Sequence, residues 1–582
     1  MRADVAHRAR IGGVTSMSPQ RNEPFDAIVV GSGITGGWAA KELTERGLRT
    51  LLIERGRDVE HGKDYVTEWK KPWELAHRGK GEPDVYARDY PIQSKNYAFG
   101  EATKHFFVKD TEHPYHTDEG KPFRWIRGYQ LGGRSLIWGR ACWRWSDLDF
   151  EANAKDGHGV DWPIRYADLA PWYAHVEKFI GVAGEKRGLP HLPDGEFLPA
   201  WEMNCAEQFV KNGIERAYAD RYMTLTRVAN LTRAVNGRGP CQARDQCARG
   251  CSYGGYFSTQ SATLPAARAT GKLTLLTNAI VESVIYDGAR DRVSGVRVID
   301  ASTGQSREYA ARLVFLNAST FGTAQILLNS KSSRFPTGLA NSSGEVGHNV
   351  MDHLSKAGAR AIVPGLMDQY VYGRRPTGTY IPRFRNLGSK NEKLGFLRGY
   401  GIQAGASRAS WSRGGAEPGF GVELKERLRE PGPWRIQLQG YCECLPRHEN
   451  YADLDPVQKD KWGIPILRIH CAWSENERAL REDLKQQAAE MLDRVGCTEV
   501  ESYDDDAPPG FSVHEMGTAR MGRDPKTSVL NAHNQAHDVK NLFITDGACM
   551  ASTSCVNPSM TYMALTARAV DFAVQELNRR NL

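Results

Sequence analysis

Apolar and polar positions follow three rhythms along this chain. Residues 27–30 form an uninterrupted apolar, mostly β-branched run, the pattern of a strand buried on both faces. The run breaks at Gly31, Gly33 and Gly36 and continues as a helical stretch to Arg46, which Gly47 ends; a second apolar run, 50–53, stops at Glu54. In the middle of the chain, "LTLLTN", "IVESVIY", "VSGVRVI" and "RLVFLNA" (273–318) alternate and are punctuated by Gly, Asn and Asp, which predicts a succession of strands. Two segments follow the helical period instead. Residues 474–496, "SENERALREDLKQQAAEMLDRVG", read as an amphipathic helix ended by Gly496. After a strand ending at Asp546, Met560, Met563, Ala567, Val570, Val574 and Leu577 make the apolar stripe of a terminal helix, with Asn557 expected as its cap and Pro558 at its first position. Strand, helix and strand in this order predict an α/β protein.

Composition narrows the class only slightly. A chain of 582 residues with 40% hydrophobic and 25% charged residues is ordinary for a globular protein of several structural units. The net charge of +7 is small for that length and its basic residues are dispersed, which argues against nucleic acid as partner. No apolar run approaches the 18 or so residues of a transmembrane segment. Residues 1–24 lack the apolar stretch of a secretory signal and read as a disordered leader, or as an over-extended start with Met17 the true one. Eleven scattered cysteines suit a reduced chain folded in the cytoplasm.

The first strand, glycines, helix and second strand carry chemistry. Gly31 permits a tight turn, Gly33 lets backbone approach a pyrophosphate, and Gly36 allows close helix–strand packing. The pyrophosphate would lie on the helix N-terminus, and Glu54 is placed to accept hydrogen bonds from a ribose. These residues predict a bound dinucleotide without separating FAD from NAD. His514, amid the small residues and glycines of "HEMGTARMG", is a candidate for acid–base work, although a lone histidine is more often structural.

The chain resembles the glucose–methanol–choline (GMC) flavoprotein oxidoreductases from Phe25 onwards. The resemblance rests on the glycine fingerprint, "GYQLGGRSLIWGRACWRW" (128–145), "DGHGVDWPIRYADLAPWY" (156–173), "LVFLNASTFGTAQILLNS" (313–330), "HEMGTARMG" (514–522) and "NLFITDG…NPSMTYMALTARA" (541–569). It is similar to the sugar-oxidising branch, with pyranose 2-oxidases and glucoside 3-dehydrogenases. The resemblance implies a Rossmann-type FAD-binding domain drawn from 25–125, 225–345 and 506–582. A substrate domain on a mainly antiparallel sheet would come from 126–224 and 346–505. It implies FAD held by Gly31, Gly33, Gly36, Glu54, Gly133, Ser135, Val281, Asp546, Asn557, Pro558 and Met560, with His514 and Asn557 flanking the reacting alcohol. Ile137 stands where some members carry a histidine bonded covalently to the flavin, so FAD is expected to be non-covalent. Trp138, Trp143 and Trp145 are read as lining the flavin pocket or filling core volume, and Glu443 as a weak substrate contact.

Cys241, Cys247 and Cys251 are spaced by five and then three residues. Their spacing is not that of a standard ferredoxin, and a metal, a disulfide or unligated thiols are all compatible with it. Resemblance to cluster-bearing sugar dehydrogenases implies a [3Fe-4S] cluster as electron exit and a haem or quinone carrier as acceptor. It also implies a small signal-bearing subunit with which the chain would reach the periplasm. An O2-using sugar oxidase and a non-redox FAD-containing lyase are the competing functions.

Overall fold

The computed structural model describes residues 23–371, 375–388, 394–410, 413–414 and 417–582. The expected leader therefore falls almost wholly outside the described residues.

One seven-stranded sheet carries the glycine turn. Its strands run in the order Leu273–Leu276, Thr50–Ile53, Phe25–Val30, Ser306–Leu316, Arg292–Asp300 and Ala279–Asp287, with Leu542–Ile544 also paired to Ser306–Leu316. Strand Ser306–Leu316 changes partner along its length. Ser306–Ala310 pairs antiparallel with Arg292–Asp300, whereas Ala311–Leu316 pairs parallel with Phe25–Val30 and with Leu542–Ile544. In the parallel part Val30 lies level with Ile53 and Leu316, and Leu316 with Ile544. The strands stop together, so the residues that follow them, Gly31, Glu54, Asn317 and Asp546, gather along one carboxyl edge. That edge is where open α/β sheets bind their ligands. Helix Ile34–Glu45 packs on the sheet beside the terminal helix, Ser559–Asn578.

A second, six-stranded sheet has the order Thr498–Asp504, Leu354–Val363, Trp434–Cys442, Tyr400–Arg408, Thr379–Ile381 and Thr224–Leu225, all neighbours antiparallel. Strand Trp434–Cys442 shows why it faces two environments. Trp434, Ile436 and Leu438 point to one face and are fully buried, in a core shared with Leu480, Leu484, Ala488 and Met491 of helix Glu475–Arg494. The alternate residues Gln437, Gln439 and Tyr441 point the other way, into a large cavity. This is the period of two that a half-buried strand requires.

Helix ends correct one expectation. The terminal helix begins at Ser559 with Pro558 in the cap position, and no side chain caps it. Asn557 is not its N-cap; its carboxamide is engaged elsewhere, as described below. Helix Glu475–Arg494 has the stronger start, with Ser474 Oγ accepting from Asn476 N and Glu477 returning to Ser474 N. Among the described residues no helix is long and apolar enough to cross a membrane.

Candidate active site

The space between the two sheets is a cavity of about 2030 Å³. Its nucleotide end is built by the glycine turn. Gly31 sits at φ +90°, and a Cβ there would lie 2.3 Å from the Asn317 carbonyl oxygen, so only glycine fits. A Cβ on Gly36 would come within 1.8 Å of the Gly31 carbonyl oxygen, which makes this residue a packing requirement and not a cavity wall. Gly33 differs from both: a Cβ there meets nothing within 4 Å, because the residue faces the cavity. The N-terminus of helix Ile34–Glu45, with no side-chain cap, points into the same space. Free N–H groups and the helix dipole together suit a pyrophosphate.

Glu54 is buried at the end of its strand and accepts from Ser32 Oγ at 2.5 Å and Gly56 N at 2.9 Å. Burial raises its carboxyl pKa and these hydrogen bonds oppose the shift. Val281, Gly133 and Ser135 also line the cavity, and Ser135 Oγ accepts from Thr259 N at 3.1 Å. Asp546 accepts from Thr323 Oγ1 at 2.6 Å and Ala548 N at 2.9 Å; burial pushes its pKa up to about 6. Open glycine backbone, an uncapped helix start and a buried acceptor at one sheet edge fit an FAD.

Deeper in, His514 and Asn557 meet. Asn557 Nδ2 donates to His514 Nε2 at 3.0 Å, and Gln403 Nε2 donates to Asn557 Oδ1 at 2.8 Å. The backbone of His514 is held by Asp352, whose Oδ1 accepts from His514 N at 3.1 Å and whose Oδ2 accepts from Gly510 N at 2.8 Å. Burial drives the His514 imidazole well below its ordinary pKa, with His353 and Arg134 adding to the effect, so it is neutral and able to accept a proton. Arg134 is itself neutralised by a two-pronged pair with Glu515, at 3.0 and 2.7 Å.

The other expected residues divide. Pro558 and Ile137 line the cavity, and so does Trp138, whose Nε1 donates to the Phe257 carbonyl at 2.9 Å. Trp143, Trp145 and Met560 do not; all three are fully buried in the main core. Glu443 is not a substrate contact either, because it is buried and paired with Arg383 at 2.6 Å away from the cavity. Cys241, Cys247 and Cys251 lie on one wall of the cavity as free thiols, and burial foremost, then neighbouring thiols, raises the pKa of Cys241. Among the described residues, however, no group of three His, Cys, Asp or Glu side chains is placed to hold a metal. The thiols therefore do not form the expected iron–sulfur ligand set in this structure. His353, Gln403 and Asp352 were missed by the sequence reading; the "MDH" at 351–353 is the only local sign of two of them.

Models of the GMC oxidoreductase family match residues 25–355 and 446–566. The chain belongs to the GMC oxidoreductase family. It is accordingly an FAD-dependent oxidoreductase acting on CH–OH groups. It is 29% identical over 571 residues to 2-methyl-1,2-propanediol dehydrogenase of Mycolicibacterium austroafricanum, with 94% of each chain covered. It is 27% identical over 576 residues to the fructose dehydrogenase large subunit of Gluconobacter japonicus, covering 95% of this chain and 98% of the other. Paromamine 6'-oxidase of Streptomyces fradiae is 25% identical over 564 residues, covering 96% and 92%. Among solved structures, pyridoxine 4-oxidase from Mesorbium loti shares the fold with a TM-score of 0.59 at 17% identity, covering 94% of this chain and 99% of that one.

Proposed function

We propose that this GMC oxidoreductase oxidises a secondary alcohol of a sugar or glycoside, at C2 or C3, to a keto-sugar, with His514 as the base. The observation that carries the reading is the His514–Asn557 pair, 3.0 Å apart and open to the cavity that the glycine turn also lines. Bound FAD would supply the hydride acceptor, held by Gly31, Gly33, Glu54, Val281, Gly133, Ser135, Asp546 and Pro558. Ile137, at the position where a covalent link would need a nucleophile, offers only an alkyl group, which supports non-covalent attachment. Neutral His514 takes the hydroxyl proton at Nε2, and Asn557 Nδ2 donates to the alcohol oxygen and orients its carbon.

Support for a polyhydroxy substrate comes from the opposite wall, where Gln403, Gln437, Gln439 and Tyr441 present amides and a phenol. Once a ligand covers them, polar groups of this kind penalise one that lacks matching hydroxyls. Relatives named for fructose and for paromamine point the same way. Three further proposals concern the electrons and the setting: a small subunit and a cytochrome or quinone acceptor, supported by the relative named as a large subunit; cytoplasmic folding before any export with such a partner, supported by eleven free thiols; and an iron–sulfur exit at Cys241, Cys247 and Cys251. The last has only the shared cavity wall in its favour. Iron and acid-labile sulfide in anaerobically purified protein decide it: stoichiometric iron establishes the cluster, and iron-free protein with fast peroxide formation makes this an oxidase.

The central test is anaerobic mixing of the FAD-loaded enzyme with a panel of sugars. Flavin absorbance is expected to bleach, and His514→Ala to slow bleaching by about 10²-fold or more at unchanged FAD content. No bleaching with any alcohol would favour the lyase reading, in which no net oxidation occurs.

A further inference from the structure

A base can accept at Nε2 only if its single ring hydrogen sits on Nδ1, and the hydrogen bond made by the other nitrogen sets that choice. His514 Nδ1 lies 2.9 Å from Nδ1 of His353, a residue 161 positions away in the chain. Two neutral imidazoles meeting nitrogen to nitrogen share one hydrogen, so one ring donates and the other accepts. The direction is fixed from behind. His353 Nε2 lies 2.7 Å from the Ser554 carbonyl oxygen, which can only accept, so this nitrogen carries a hydrogen. His353 is 1% exposed, and burial lowers its pKa to about 4, so the ring is neutral near pH 7 and its Nδ1 is bare. His514 must then keep its hydrogen on Nδ1. With the hydrogen on Nε2 instead, two bare nitrogens would face each other at hydrogen-bond distance. The two carboxamides follow suit, because Asn557 Nδ2 can donate only to an unprotonated Nε2.

We infer that His353 is a positioning residue that fixes the tautomer of His514, holding Nδ1–H and leaving Nε2 an unprotonated acceptor, which Asn557 Nδ2 occupies until the alcohol hydroxyl takes its place. The inference deepens the proposed function and rests on its reading of His514 as base. The same short segment sets both the place and the proton state of that base: Asp352 grips the backbone from Gly510 to His514, and His353 reads the ring. When Nε2 takes the proton, the bond from His514 Nδ1–H to His353 becomes charge-assisted, the stronger kind. That gain offsets part of the cost of a buried imidazolium next to Arg134. Tyr441 stands beside both rings, its centroid 5.9 Å from that of His514 and 6.2 Å from that of His353.

The test uses the FAD-loaded enzyme labelled with 15N-histidine, the His514 signals being assigned by their loss in His514→Ala. The expected spectrum shows Nδ1 protonated and Nε2 bare. In His353→Leu the tautomer is expected to shift towards Nε2–H, and anaerobic flavin reduction to slow about 10- to 100-fold, the size of effect found for partners that orient metal-bound histidines. His353→Asn, whose Oδ1 can take the place of Nδ1, should restore the tautomer and most of the rate, which a merely steric role would not. An Nε2–H tautomer in the wild-type enzyme overturns the inference, and the wild-type spectrum decides even if His353→Leu loses FAD. So does a His353→Leu enzyme with unchanged tautomer and rate, or a His353→Asn enzyme as slow as His353→Leu. If His514→Ala reduces its flavin at the wild-type rate, the base assignment itself fails, and that outcome is read separately from the tautomer.

Discussion

At the scale of single residues, the three fingerprint glycines do different jobs, and the structure separates them. Gly31 needs a positive φ and Gly36 needs contact with the Gly31 carbonyl, whereas Gly33 has ordinary backbone angles, φ −63° and ψ −162°, and empty space where a side chain would go. Gly33→Val should therefore leave the fold intact and abolish FAD retention, because only the ligand needs that space. Gly36→Val should lower the melting temperature even without FAD. A ratio of flavin to protein absorbance beside a thermal melt distinguishes the two; a Gly33→Val protein with stoichiometric FAD would show that the turn serves packing alone. The glycines, Glu54 and Asn557 were legible in the sequence because each sits near a recognisable strand or helix end, and His514 because of its block of small residues and glycines. His353 and Gln403 were not, since their roles exist only once distant segments meet. Trp143 and Trp145 could not be told from Trp138, because an indole is equally at home in a core and beside a cofactor.

At the scale of elements, the fingerprint helix carries an ion cluster where a plain amphipathic reading expects none. Glu42 is buried and pairs with Lys41 at 3.0 Å, His175 at 2.7 Å and the Arg46 guanidinium. Burial pushes its pKa up, but the three partners outweigh it and hold the carboxyl at about 2. A folded-state pKa below the unfolded one contributes stability that is complete above the unfolded value, near 4.5, and is lost as pH falls towards 2. Glu42→Gln should thus cost about 3 kcal/mol at pH 7, as expected when one partner of a buried pair is removed. The gap to wild type should narrow between pH 4.5 and 2 in denaturant melts. A pH-independent gap would mean that the glutamine fails by packing and not by charge. Helices and strands themselves were readable from periodicity; the start of the terminal helix was misjudged by one residue, because Asn and Pro are good helix starters and local preference gave no sign that Asn557 was recruited to His514.

At the scale of the whole molecule, the parallel edge of one sheet supplies one end of the cavity and the inward face of the other lines it with the amides proposed to meet the alcohol. Acid precipitation should release intact FAD into the supernatant, as the alkyl side chain of Ile137 implies; flavin remaining in the pellet would refute non-covalent attachment. The fold class was legible from the order of strands and helices, but not the wall shared by Gln403, Gln437, Gln439 and Tyr441, which depends on how the antiparallel strands are ordered. The strand Ser306–Leu316 has a consequence for how the protein is made. Its partner Leu542–Ile544 follows it by more than two hundred residues, with Val314 opposite Leu542. During synthesis, then, the nucleotide-binding sheet stays one strand short, with an apolar edge open, until residues 542–544 have left the ribosome. Cofactor capture is in this way a late event, and an interrupted translation product ending before Asn541 would hold no flavin.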